Sequence, residues 1–193
     1  MMVGIQTITH FGDLALLIPL ASVVLVWLLW SRATVAAAWW VLAVVVCAGN
    51  TAILKIYFFA CPLGDLRSPS GHTSLGTLVY GALAIAIAVQ WQGWRRIVVI
   101  GVGVLFVGAI AGSRIMSGAH NGIEVVSGLI IGLSTLAVFA VFYLRHRASH
   151  VTLWPLLIAV ISIVILLNDQ EVHAETFLDQ LSAFLHIHQS MCA

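Results

Sequence analysis

Two short polar motifs stand among long apolar runs, and their residue types suit phosphate chemistry. The first, residues 68–72, reads Ser-Pro-Ser-Gly-His; the second begins with Ser-Arg at 113–114 and continues to His120 and Glu124. Histidine can act as a nucleophile or a general acid near neutral pH, and arginine holds anionic oxygens through several N–H donors. These motifs therefore predict a site that binds and transfers a phosphoryl group.

The first motif has the features of a helix start that binds an anion. Pro69 ends any preceding helix, and Gly71 lets the backbone approach a ligand closely. An apolar segment begins directly afterwards, which would place backbone amides and a helix N-terminus beside His72. Ser70 and Gly71 are therefore expected to contact phosphate, although a plain loop-to-helix entry with a serine cap explains the same residues.

The second motif would orient a histidine. His120 and Glu124 are four residues apart, so on a helix their side chains share a face. A carboxylate bonded to one ring nitrogen fixes the tautomer and leaves the other nitrogen as a nucleophile. An ion pair or a cap at a helix start is the alternative interpretation.

Lys55 is the third candidate, near the end of an apolar run. A cation inside hydrocarbon costs about 2.5–3.5 kcal/mol, but lysine can extend to the interface, so Lys55 alone indicates little. Its position on the same predicted side as His72, Arg114 and His120 favours a common site.

Composition predicts an integral membrane protein. Hydrophobic residues make up 62% of the 193 residues and charged residues only 8%, whereas soluble domains are about 45–50% apolar. No basic run suggests nucleic-acid binding. Because a membrane helix needs about 20 mostly apolar residues, residues 1–193 are expected to form one all-α bundle with six transmembrane helices. The expected spans are residues 12–30, 35–58, 73–91, 96–114, 122–144 and 151–168.

Arginines in the short connectors predict the orientation. The connectors after the first, third and fifth spans should face the cytoplasm by the positive-inside rule, because they carry Arg32, Arg95, Arg96, Arg145 and Arg147. The first apolar run lacks the basic flank and cleavage site of a signal peptide and is expected to remain as a span. The motifs and both termini should then face the periplasm of a bacterial inner membrane.

Residues 170–190 differ in kind from the apolar runs. Apolar residues from Phe177 to Leu185 recur at helical spacing with charged residues between them, which predicts an amphipathic helix in the interface plane or against the bundle. The cysteines at 47, 61 and 192 lack metal-ligand spacing.

Together the motifs resemble those of the type 2 phosphatidic acid phosphatases, also called lipid phosphate phosphatases. That family's pattern is a lysine followed by Arg-Pro, then Pro-Ser-Gly-His, then Ser-Arg-x5-His-x3-Asp. Residues 69–72 match the second element fully, and the third is matched except that Glu124 replaces aspartate. In the first element Lys55 is present, but Cys-Pro at 61–62 stands in place of Arg-Pro. Arg67, in the adjacent loop, is a candidate substitute for that arginine.

The resemblance implies a lipid phosphatase that needs neither a metal ion nor a cofactor. His120, oriented by Glu124, would attack phosphorus and form a phosphohistidine, while His72 would protonate the leaving oxygen. The partners implied are the bilayer and a lipid phosphate. The phosphoryl oxygens would be held by Lys55, Arg67, Arg114, Ser70 and Gly71.

Two other functions fit the same motifs. A phosphotransferase would use the same intermediate but pass the phosphoryl group to a second acceptor instead of water. A non-catalytic lipid-phosphate binder is suggested by the changes at 61–62 and at Glu124. The sequence does not choose among prenyl diphosphates, phosphatidylglycerol phosphate, phosphatidic acid and lipid A, and it does not give the oligomeric state.

Overall fold

A computed structural model describes residues 8–60, 68–146 and 152–167, which form helices and connecting turns without strands. The prediction of an all-α fold is confirmed for this part of the chain. Arg67 and the tail at 170–190 lie outside the described residues. The helices are α1 (Leu14–Trp30), α2 (Thr34–Ala60), α3 (Gly71–Ala88), α4 (Trp94–Met116), α5 (Gly122–His146) and α6 (Trp154–Leu167).

Four of the described helices are long and apolar enough to cross a membrane. They are α2 over Thr34–Phe58, and α3, α4 and α5 over their whole lengths. The first and last helices are also apolar but shorter, with 17 residues in α1 and 14 in α6. Four of the described helices therefore have the length and composition that the prediction of six spans requires, whereas α1 and α6 are shorter over the residues that the structure describes.

Two helix ends differ from the predicted ones at the motifs. The third helix begins at Gly71 rather than at residue 73, because the Ser70 hydroxyl caps it by accepting from the Thr73 amide at 3.4 Å and the Thr73 hydroxyl at 3.0 Å. The fourth helix continues to Met116, so Arg114 lies in its last turn, where the helix dipole favours positive charge.

The most enclosed of the four long helices is α3. In its membrane-length window 61% of the residues are buried, against 28% or fewer in the other three. It packs mainly on α4 and α5 and also contacts α1 and α2, whereas α2 packs mainly on α5 and α1 packs on α6. Because α3 begins with the first motif, residues from the surrounding helices are brought to that motif.

Two glycines allow α5 to pack directly on the backbone of α3. A Cβ atom on Gly128 would lie 2.6 Å from the Ser70 carbonyl oxygen, and one on Gly132 would lie 2.5 Å from that of Ser74. These glycines are four residues apart, the spacing that lets membrane helices pack closely. The second motif is thereby held against the first.

The end of the bundle opposite the motifs has the features of a membrane–water interface. Exposed tryptophans stand there beside arginines, and the Arg95 guanidinium lies 5.2 Å from the centre of the Trp91 ring. Tryptophan is enriched at the level of the lipid headgroups, and arginine marks the cytoplasmic side. The residues at this end are Trp30, Arg32, Trp91, Trp94, Arg95, Arg96, Arg145 and Trp154.

We expect Gly132→Ala to destabilise the protein and to reduce any activity that depends on both motifs. The added methyl group overlaps the Ser74 carbonyl and the Thr77 side chain, so the helices must separate at a cost of about 1–3 kcal/mol. Thermal unfolding of the detergent-solubilised protein measures the effect. Gly112→Ala is the matched control, since nothing lies within 4 Å of a Cβ there and alanine favours a helix by about 1 kcal/mol over glycine. Equal melting temperatures for the two variants would contradict the close contact.

Candidate active site

A buried carboxylate, that of Glu124, holds the second motif together. One of its oxygens, Oε2, accepts a hydrogen bond from Nδ1 of His120 at 2.9 Å and another from the Asn121 amide at 3.2 Å. The other oxygen, Oε1, accepts from the Ser68 amide at 2.9 Å. The expected pairing of His120 with Glu124 is therefore present, and it is joined to the first motif.

The local sequence explains how Glu124 reaches this position. Asn121 caps α5, and its side-chain oxygen accepts from the Glu124 amide at 2.9 Å. The Glu124 carboxylate in turn accepts a hydrogen bond from the Asn121 amide, so the two residues form a reciprocal capping box. Glutamate at the third helical position is therefore both the cap partner and the residue that orients His120. The contacts show the helix cap, and they include the His120–Glu124 hydrogen bond that the catalytic interpretation requires.

The first motif is fixed to α5 by the backbone. The Ser70 amide donates to the Glu124 carbonyl at 3.0 Å, and the Ser70 hydroxyl, fully buried, is the cap of α3. Both polar groups of Ser70 therefore have structural partners. Of the two residues expected to contact phosphate through their amides, Gly71 is the better placed, because it lies in the first turn of α3, where N–H groups point out of the helix end.

Lys55 lies against the start of α3. A Cβ on Gly71 would be 4.0 Å from the Lys55 Cε and 3.8 Å from Cγ2 of Thr51. Lys55 is only 4% exposed, and it lines a common cavity with Gly71 and His72. The structure thus brings together the lysine of the first element and the histidine of the second.

His72 is packed under the turn that precedes α1. A Cβ on Gly12 would lie 3.0 Å from the Cβ of His72 and 3.2 Å from its ring carbon Cδ2. The Tyr80 hydroxyl donates to the Phe11 carbonyl at 2.6 Å and fixes this turn against α3. Only glycine allows the turn to pass so close to His72, and nothing in the sequence indicates this role for Gly12.

Arg114 joins the site from the last turn of α4. Its carbonyl accepts from the His120 amide at 3.2 Å, and the residue is 7% exposed. The neighbouring Ser113 has a structural role, since its hydroxyl donates to the Ile110 carbonyl at 2.7 Å and accepts from Thr9 at 3.0 Å. The arginine of the Ser-Arg pair is therefore the member that can serve a ligand.

The predicted site residues that the structure describes lie at one end of the bundle. They come from the end of α2, the start of α3, the end of α4 and the start of α5. Asn121 and Gly12 were not predicted; the Asn-x-x-Glu spacing of a capping box was the available signal for Asn121. Among the described residues, no group of three or more His, Cys, Asp or Glu side chains could hold a metal ion. The predicted residues in this group are Lys55, Ser70, Gly71, His72, Arg114, His120 and Glu124.

Comparison with known proteins matches the part of the chain that builds this site. The model of the PAP2 superfamily matches residues 55–148. A protein of Klebsiella pneumoniae, named "Uncharacterized 22.5 kDa protein in cps region", is 27% identical over 146 residues, which are 72% of this chain and 69% of that protein. No solved structure matches. Because the matched segment starts at Lys55 and contains both motifs, the resemblance to the PAP2 superfamily is confirmed over the part of the chain that builds the site.

Proposed function

We propose that this protein is a membrane-embedded lipid phosphatase that works through a phosphohistidine on His120. The observation that carries the proposal is the 2.9 Å hydrogen bond between Nδ1 of His120 and the buried Glu124 carboxylate. A carboxylate accepts a hydrogen bond only from a protonated nitrogen, so Nδ1 carries a proton, and in the neutral ring Nε2 carries the lone pair. The match of residues 55–148 to the PAP2 superfamily supports the same reaction class.

The first step is an in-line attack of Nε2 of His120 on phosphorus. The bond between phosphorus and the lipid oxygen breaks, and His72 gives that oxygen its proton. In the second step water attacks the phosphohistidine, His72 takes a proton from the water, and orthophosphate leaves. Lys55, Arg114 and the amides at the start of α3 stabilise the charge on the transferring group.

A lipid substrate is favoured by where the site lies. The residues stand at the ends of membrane-length helices, so a phosphate head group can meet them while its hydrocarbon stays in the bilayer. The site end is opposite the end that carries the exposed tryptophans and the connector arginines. With those arginines in the cytoplasm, the site opens on the periplasmic side of a bacterial inner membrane.

We expect His120→Ala to lower phosphate release from a lipid phosphate by about a thousandfold or more, because loss of a nucleophile removes the covalent route. His146→Ala is the control, since His146 is exposed at the opposite end. Labelled substrate should also leave an acid-labile phosphoryl group on the wild type and none on the variant. Appreciable turnover by His120→Ala would rule out His120 as nucleophile. Label that appears on a second lipid instead of as free phosphate would identify a phosphotransferase.

We expect Glu124→Gln to lower activity by about 10²–10⁴-fold, because an amide cannot accept from all three N–H donors or stabilise the charged ring. Glu124→Asp restores the carboxylate that is usual in the family and should recover much of the rate. Thermal unfolding of both variants separates a loss of orientation from a loss of the helix cap. If Gln and Asp variants of equal stability were equally slow, charge at this position would not matter.

The orientation predicts which end of the bundle is accessible from outside intact cells. In a variant without its native cysteines, Ala119→Cys at the site end should react with a membrane-impermeant thiol reagent. Gln92→Cys, exposed at the opposite end, should react only after the membrane is opened. The reverse pattern would place the site in the cytoplasm.

A further inference from the structure

A cavity of about 530 Å³ extends from the site into the membrane-spanning part of the bundle, between α1, α2 and α3. At one end it is lined by Lys55, Gly71 and His72, and at the other by Leu25 and Trp40. The walls between these ends are mostly aliphatic. One end of the cavity is therefore polar, with residue types that bind phosphate, and the rest of its lining is mostly apolar.

The cavity opens sideways toward the surface that faces the bilayer. Ile18 of α1 and Val41 and Val45 of α2 line it, and these three side chains are 59%, 44% and 61% exposed. In a membrane such side chains face hydrocarbon. A lipid chain can thus enter between α1 and α2 without crossing water.

The length of the cavity suits a long hydrocarbon chain. Lys55 and Trp40 are fifteen residues apart on α2, which corresponds to about 22 Å along the helix. One leaflet of hydrocarbon is about 15 Å deep, so the cavity is longer than a leaflet.

Trp40 closes the far end as a fixed wall. Its indole N–H donates to the Ala21 carbonyl of α1 at 2.9 Å, so the ring bridges from α2 to α1. The ring also packs edge-on against Phe139, with ring centres 5.0 Å apart, and the residue is 1% exposed. The cavity therefore ends at a side chain that is held on two sides.

We propose that this cavity holds one hydrocarbon chain of the lipid whose phosphate is bound at Lys55 and His72, and that Trp40 at its far end limits how long that chain can be. This inference rests on the proposed phosphatase function for its head-group end. A chain gains nothing by leaving lipid for an equally apolar cavity, so selection comes from packing and shape rather than from hydrophobicity. The substrate class is thus a phosphate ester recognised through one chain, whether that lipid carries one chain or two.

Photolabelling tests the position of the chain without requiring turnover. A long-chain monoalkyl phosphate with a photoreactive group at its last carbon is bound to the detergent-solubilised wild type and irradiated. Labels on Leu25, Val41 or Trp40 are expected, because these residues lie at the far end of the cavity. Labels spread over the outward faces of α4 and α5, such as Leu105 and Ile130, would show bulk lipid contact and overturn the proposal.

Chain-length selectivity gives a second, kinetic test. Ala48 lines the middle of the cavity, so Ala48→Phe should lower the ratio of kcat/KM for a long-chain over a short-chain monoalkyl phosphate by about tenfold. Ala38→Phe, on an exposed position of α2 outside the cavity, should leave that ratio unchanged. Equal ratios in wild type and Ala48→Phe would overturn the chain site even if both enzymes release phosphate. If no phosphate ester is hydrolysed, the proposed phosphatase function is wrong. The photolabelling result still decides whether the cavity holds a hydrocarbon chain.

Discussion

The site depends on one buried carboxylate that is fully engaged by hydrogen bonds. A carboxylate held out of water is costly unless its oxygens are satisfied, and Glu124 accepts from three N–H groups. Two of them belong to the neighbouring residues His120 and Asn121, and the third is the Ser68 amide of the first motif. Loss of this charge would therefore release the histidine and remove one of the hydrogen bonds that join the two motifs.

The membrane explains why the site is built from helix ends. Backbone groups inside hydrocarbon must form hydrogen bonds within their own helix. Amides that can bind a ligand, and charged side chains, are therefore placed at helix termini. The helices α3, α4 and α5 contribute residues from a terminal turn, and Lys55 lies five residues before the end of α2. The close approach of α5 to α3 at Gly128 and Gly132 then sets the distance between the motifs. The close packing of α5 on α3 therefore also fixes the geometry of the site.

The sequence predicts the helices well, because apolar runs interrupted by short polar connectors leave little choice in a membrane. It also predicts the pairing of His120 with Glu124, since a spacing of four is a local property of a helix. It does not predict that the polar groups of Ser70 serve the fold, because its amide bonds to a carbonyl 54 residues away. Gly12 was missed for the same reason: its contact with His72 depends on how α1 packs on α3, which no local pattern encodes.

The glutamate that replaces the family's aspartate fits the geometry of this helix start. The longer side chain lets one oxygen serve His120 and the Asn121 amide while the other spans to Ser68.

The absence of the family's Arg-Pro pair raises a separate question, namely whether the remaining positive charge balances a phosphoryl group. A phosphomonoester carries about −1.5 to −2, and Lys55, Arg114 and the N-terminus of α3 together offer about +2.5. Both cationic side chains are at least nine-tenths buried, where Coulomb interactions are several times stronger than in water. The described residues therefore balance a phosphoryl group without the arginine at 61. Its replacement by cysteine is compatible with the proposed chemistry, because the remaining positive charge lies where screening by water is weakest.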